Sequence, residues 1–324
     1  MQSYPVIVVV GPTSSGKSAL AVRLARKFDG EIISADSRQV YRGLDIGSGK
    51  VPRDPLPKSY QLKARSYLHQ GVPHYLLDVA NPKRVFSVAR YQKLGRRALE
   101  QIIKRGKVPI ICGGTGFYID ALLGRVTIPP VPPNPKLRTQ LEKLSTEKLG
   151  EKLRAFDSKR FANIDRKNRP RLIRAIEIAV APKTEGSTFP CQGRTLTCDN
   201  WLTLGIKLEP NELKKKINAR LKFRINHGLA NEVKKLHKNG LSWARLEALG
   251  LEYRYVAEFL QRQEREEIAF LERDLATAIW HYAKRQITWF KRDKTIQWVE
   301  NYDEAKKITA TFLRVQPFSV KVEP

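Results

Sequence analysis

Gly11-Pro12-Thr13-Ser14-Ser15-Gly16-Lys17-Ser18 has the form G-x-x-x-x-G-K-[ST], and its flanks give the pattern a structural setting. Before it, Val6-Ile7-Val8-Val9-Val10 reads as a buried strand. After it, a helix through Phe28 carries Leu20, Leu24 and Phe28 on one face. Strand, glycine loop and helix together make a phosphate cradle. Backbone N–H groups gather at the positive end of the helix and hold a diphosphate or polyphosphate. Gly11, Thr13, Ser14, Ser15, Gly16, Lys17 and Ser18 form that predicted diphosphate site. Lys17 is placed to reach the bridging phosphates, and the Ser18 hydroxyl to ligate Mg²⁺. Loops of this kind most often bind nucleotides, ATP or GTP, so the loop alone does not name a reaction.

Working outward, apolar runs alternate with helical stretches. Glu31–Ala35 reads as a second strand ending at Asp36, His74–Val79 as a third, and Val108–Cys112 as a fourth closing on Gly113-Gly114-Thr115-Gly116. A helix is expected from Ser87 to Lys104. The alternation predicts an α/β fold of phosphate-loop type, a parallel sheet with helices on both faces. Ligands in such sheets bind beyond the carboxyl ends of the strands. Asp36, Asp78, Gly113, Gly114 and Thr115 all fall there. Nucleotide hydrolases place an aspartate at the end of an apolar strand to hold Mg²⁺. Here Val108–Cys112 ends in glycine, which leaves Asp36 as the better-placed carboxylate. Its spacing allows a general base and a helix cap equally.

The pattern changes at Ile128-Pro129-Pro130-Val131-Pro132-Pro133-Asn134-Pro135, which can be neither helix nor central strand. It reads as a stiff hinge into a basic helical segment, Lys136 to Val180, followed by a loop over 181–200. Trp201–Leu208 then reads as a strand that rejoins the sheet. The predicted organisation is a catalytic core over 1–120 and 201–324, with a small all-helical insertion domain over 121–200. The second half of the core is helical. One apolar stripe runs Leu213, Ile217, Leu221, Ile225, Leu229, Val233, Leu236, and another runs Leu271, Leu275, Ile279, Tyr282, Ile287, Phe290. Thr295–Val299 is a candidate last strand and Phe318–Pro324 a tail.

Lys+Arg number 60 against 32 Asp+Glu, a net charge of +28 over 324 residues. A globular chain this basic points to a polyanionic partner. Cys112, Cys191 and Cys198 form no C-x-x-C pair and no zinc spacing, which suggests a reducing compartment. The first strand begins too early for a leader peptide, and no apolar run approaches about 18 residues, so no membrane span is expected. The expectation is a cytoplasmic protein. Of the tryptophans, Trp280 and Trp289 could stack on bases or be core, and Trp298 reads as core. His74 reads as structural.

Several blocks, in order, resemble the tRNA dimethylallyltransferase family. They are Gly11–Ser18, Asp36-Ser37-Arg38-Gln39-Val40-Tyr41, Asp45-Ile46-Gly47-Ser48-Gly49-Lys50, Gly113–Tyr118, Arg171-Leu172-Ile173-Arg174-Ala175 and Lys284-Arg285-Gln286-Ile287-Thr288-Trp289-Phe290. The likeness runs from about residue 6 to 299. Two departures stand out. The family commonly has Thr-Ala where Ser48-Gly49 stand, and Leu249–Tyr253 replaces a shorter Gly-Tyr segment. The cysteine count excludes the zinc finger of the family's eukaryotic members.

The resemblance implies transfer of a dimethylallyl group from dimethylallyl diphosphate to N6 of the adenosine 3′ of the tRNA anticodon. It implies Asp36 as the base, with Lys17, Thr115 and Arg220 at the reacting centre and Mg²⁺ as the cofactor. Asp36, Ser37, Arg38, Gln39 and Thr115 would hold the target base. Arg138, Arg169, Arg171 and Arg174 would grip the stem, and Lys284, Arg285 and Gln286 would also touch RNA. A monomer is the simplest expectation. The competing readings are a small-molecule kinase, a prenyltransferase acting on free adenylate, and an RNA-binding protein with a relic loop.

Overall fold

All five residues of β1 (Val6–Val10) are buried, because helices cover both faces of the sheet it belongs to. The computed structural model describes residues 4–55, 67–182, 200–262 and 268–315. Within them β2 (Gly30–Ser34), β3 (Tyr67–His69), β4 (Val72–Tyr75), β5 (Val108–Gly113), β6 (Trp201–Ile206) and β7 (Gln297–Val299) join β1 in the order β3-β4-β2-β5-β1-β6-β7. Every neighbouring pair is parallel except β3 with β4. Val6, Val8 and Val10 belong to the larger core, and Ile7 and Val9 to the smaller. α1 (Lys17–Lys27) and α13 (Tyr302–Arg314) supply the smaller one. α2 (Val88–Lys104), α3 (Gly116–Leu122) and the later helices supply the larger.

The chain divides into two compact units, Met1–Val126 with Leu196–Pro324, and Thr127–Thr195. The second unit is helical where described. α4 (Pro135–Leu141), α5 (Thr146–Phe156), α6 (Ser158–Asn163) and α7 (Arg169–Val180) close on Leu141, Leu149, Leu153, Leu172 and Ile176. Each start is capped by a side chain: Asn134, Ser145, Asp157 and Asn168 accept N–H groups of the first turn.

Three expectations need correction. The third strand is Val72–Tyr75, because Leu76 and Asp78 take left-handed φ of 64° and 57° and turn the chain away. The sheet is not wholly parallel, since β3 hairpins onto β4 through Gln70 and Gly71 at φ 50° and 75°. The first long stripe is two helices, α8 (Pro210–Asn226) and α9 (Leu229–Lys238), parted at Gly228 with φ 94°. α10 (Trp243–Leu249), α11 (Leu251–Gln261) and α12 (Ile268–Phe290) follow. The 181–200 loop, apart from its end residues, and Cys191, Cys198 and the 318–324 tail lie outside the described residues. Among the described residues no helix is long and apolar enough to cross a membrane.

Candidate active site

The phosphate loop leaves β1 through Gly11 and enters α1 through Gly16, whose φ of 89° is in the left-handed region. The Gly11 position is crowded, since a Cβ there would stand 2.7 Å from Ser15 Oγ. That hydroxyl is buried and has no hydrogen-bond partner among the described residues, which leaves it free to meet a ligand atom. Lys17 Nζ reaches back to Pro12 O at 3.2 Å. Burial pulls its ammonium below the ordinary lysine range, and Asp36 partly offsets this while Arg220 and Arg224 add to it.

Gln286 braces the loop from α12. Its Oε1 accepts from Thr13 N at 2.8 Å, and its Nε2 donates to Gly114 O at 2.8 Å. The side chain is buried and both ends are used, so the expected RNA contact gives way to a structural tie between the loop and the Gly113–Gly114 turn. Lys284 and Arg285 of the same block are exposed, over the rings of Trp280 and Tyr282. Trp280, Trp289 and Trp298 are all partly buried against the larger core.

Asp36 stands just beyond β2. Its Oδ1 accepts from Arg38 N at 2.8 Å and Gln39 N at 3.3 Å, so the capping role is real. Among the described residues no group binds Oδ2, which leaves that oxygen open. Gly113 lets β5 press against this turn: a Cβ there would meet Ala35 O at 2.1 Å. The close approach brings Thr115 beside Asp36. Thr115 N donates to Ala35 O, and Thr115 Oγ1 accepts from Ser37 N at 3.1 Å. Arg38 lies half-buried near Tyr118 and Tyr282, whose phenols burial drives far above their usual range.

Gln39 was expected to read an adenine edge. Its amide is spent inside the protein instead, accepting from Ser34 Oγ at 3.0 Å and donating towards Ser48 O and Gly49 O at 3.4 and 3.3 Å.

Arg220 completes the centre from α8. It donates to Gly49 O at 3.3 Å and makes no ion pair among the described residues. Burial first, and the neighbouring Arg224 second, push its guanidinium down to about 10. Arg224 is itself buried and pairs with Glu252 at 2.6 Å. Both guanidiniums lie against Gly49, where a Cβ would come within 2.0 and 2.1 Å of their NH2 atoms. Gly49 also has φ 62°. The two family departures noted above therefore meet in space, Gly49 on one side of Arg224 and Glu252 on the other.

Arg224 was missed in the sequence, although a signal exists. On α8 the inward positions run Leu213, Ile217, Arg220, Leu221, Arg224, so arginines intrude on an apolar stripe. Cys112 was read as buried and is; burial lifts its thiol to about 11, and it sits close enough to Ser18, Lys17 and Asp36 to feel all three.

The remaining expected RNA contacts lie in the helical unit. Arg138 and Arg174 hold Glu177, whose side chain is fully buried, at 2.8 and 3.1 Å. Burial alone would raise the Glu177 carboxyl. The Arg138 and Arg174 donors and Asn134 N–H outweigh it and bring the group to about 2. Arg169 donates to Thr146 Oγ1 and Glu142 O. Arg171 is exposed and has no described side-chain partner.

Comparison with known proteins shows which family the chain resembles over most of its length. The pattern of the IPP transferase family matches residues 39–293. The chain is 38% identical over 317 residues to tRNA dimethylallyltransferase 1 of Geotalea uraniireducens, covering 97% of this chain and 98% of that one. It is 41% identical over 287 residues to tRNA dimethylallyltransferase 2 of Syntrophotalea carbinolica, covering 89% and 90%. Among solved structures it resembles the full-length tRNA isopentenylpyrophosphate transferase of Bacillus halodurans, with TM-score 0.65, 30% identity and coverage of 97% and 96%.

Proposed function

The chain belongs to the tRNA dimethylallyltransferase family, and on that premise we propose that it transfers a dimethylallyl group from dimethylallyl diphosphate to N6 of the tRNA adenosine at position 37, 3′ of the anticodon. The observation that carries this reading is a pair of desolvated cations beside a half-occupied carboxylate. Lys17 and Arg220 each lack an ion-pair partner among the described residues, and burial weakens the hold of both on their protons. A cation in that state is stabilised by an incoming anion. A diphosphate on the loop amides, flanked by Lys17 and Arg220, supplies it.

The reaction then follows from the positions. As the allylic C–O bond breaks, charge grows on the leaving diphosphate, and the loop N–H groups, Lys17 and Arg220 stabilise it there. N6 of the adenine forms the new C–N bond. Its surplus proton passes to Asp36, at the oxygen that the cap leaves open. Thr115, tied to Ser37, holds the base turn against the Gly113–Gly114 strand end. The adenine must leave its loop stack to arrive there.

Mg²⁺ fits this donor set. The Ser18 hydroxyl, an oxygen donor at the start of α1, would hold it. Bound there, it supplies positive charge to the departing oxygens. RNA affinity comes from the net charge of +28 and from exposed cations, Arg171 of the helical unit and Lys284 and Arg285 of the core among them.

The test is incubation with dimethylallyl diphosphate, Mg²⁺ and unmodified tRNA, with the nucleosides read by mass. Prenylated adenosine is expected. Turnover of ATP instead, or equal prenylation of free AMP, would reject the reading in favour of a kinase or a free-nucleotide enzyme.

A further inference from the structure

Resting on the reading above, we infer that Glu232, on the first turn of α9, is a positioning residue that ties the donor cation to the base-holding turn. Three successive backbone N–H groups form an anion-binding nest at Asp45-Ile46-Gly47, and the protein fills it with its own carboxylate. Asp45 N and Ile46 N donate to Glu232 Oε2 at 2.9 and 2.7 Å, and Gly47 N donates to Oε1 at 3.0 Å. Tyr253 O–H donates to the same Oε1 at 2.9 Å and accepts from Ser48 N at 3.1 Å, which extends the clamp to a fourth N–H. The loop cannot back away from the phenol, because Gly47 lies where a Cβ would be 2.7 Å from the Tyr253 ring.

What the clamp holds is the loop's far end. Gly49 O is shared by Arg220 NH2 and Gln39 Nε2, each at 3.3 Å. Arg220 faces the donor site, and Gln39 N is one of the two amides on Asp36 Oδ1. One carbonyl therefore sets both the cation that takes the diphosphate and the turn that carries the base. Its own position depends on a carboxylate that touches neither substrate. The charge also matters. A carboxylate accepts at both oxygens, whereas an amide would turn an NH2 group towards N–H donors.

Glu232→Gln keeps the size and removes that second acceptor. We expect it to weaken binding of inorganic pyrophosphate, followed by calorimetry, and kcat/KM for dimethylallyl diphosphate by about tenfold each. On an Arg220→Ala background the same change should cost less than about twofold, because the tie then has nothing to hold. Tyr253→Phe, which removes one hydroxyl and leaves the ring, serves if Glu232→Gln folds poorly. It should show a smaller loss with the same dependence on Arg220. Equal losses with and without Arg220, or a lower melting temperature with pyrophosphate binding unchanged, would overturn the inference. Wild-type protein that binds pyrophosphate without prenylating tRNA would instead count against the proposed function.

Discussion

Two pairs of buried or half-buried arginines in this chain each lie near one buried carboxylate, and they end differently. In the helical unit Arg138 and Arg174 both close on Glu177, and the cluster is complete. In the core Arg224 takes Glu252, and Arg220 makes no ion pair among the described residues. Similar groups thus close a structural cluster in one place and, on the function proposed above, leave a cation to receive the donor's diphosphate in the other. A desolvated guanidinium without a carboxylate is costly to keep and gains when an anion arrives, which is why the proposed function places the diphosphate beside Arg220. Counting arginines would not have separated the two clusters; following each one to its partner does.

The comparison breaks most visibly at the carboxylate that faces the leftover cation. Asp36→Ala should lower kcat by about 10² to 10⁴ while tRNA affinity, measured by filter binding, stays within about threefold. Equal loss of both would mean that Asp36 only caps its turn. Arg220→Ala should cost about 10² to 10³ in kcat/KM for the donor, with a melting temperature at or above wild type, since an unpaired buried charge is removed. A clear drop in melting temperature would move Arg220 into the structural class.

Glu177→Ala should do the reverse, destabilising the helical unit by about 3 kcal/mol in denaturant unfolding. Prenylation of a minimal anticodon stem-loop at saturating RNA should be nearly unchanged. The same carboxylate predicts a pH effect. Its proton affinity is lowered in the folded state, so its contribution is full above the unfolded carboxylate range and is lost as pH falls towards about 2. The gap in melting temperature between wild type and Glu177→Gln should therefore narrow from pH 6.5 to pH 3.5; a constant gap would refute the assignment. The smallest effect belongs to Arg171, the exposed arginine of that unit. Arg171→Ala should reduce the salt dependence of tRNA binding by about one unit of slope without altering kcat.

Local pattern carried much of this. The phosphate loop, its strand and its helix follow from residues adjacent in the chain, as does the change to helices after the Pro-rich hinge. Asp36 and Thr115 were accessible because strand ends in such sheets converge. The hairpin of β3 on β4 was not read, since three-residue strands leave little periodic signal and the reversal rests on left-handed Gln70 and Gly71. Gln39 and Gln286 were assigned to RNA because amides suit bases. Each has its partners inside the protein, at loops 10 and 172 residues away in sequence.

Sequence alone determined that a glycine loop of phosphate-binding form opens an α/β sheet, because such a loop is built from consecutive backbone amides whose geometry glycine spacing dictates. Only the tertiary structure decided which charges are spent. Pairings such as Arg224 with Glu252 and Glu232 with the 45–47 amides join segments from different helices and loops. A residue's type states the charge it carries; whether that charge is already answered depends on what the fold brings within about 3 Å of it.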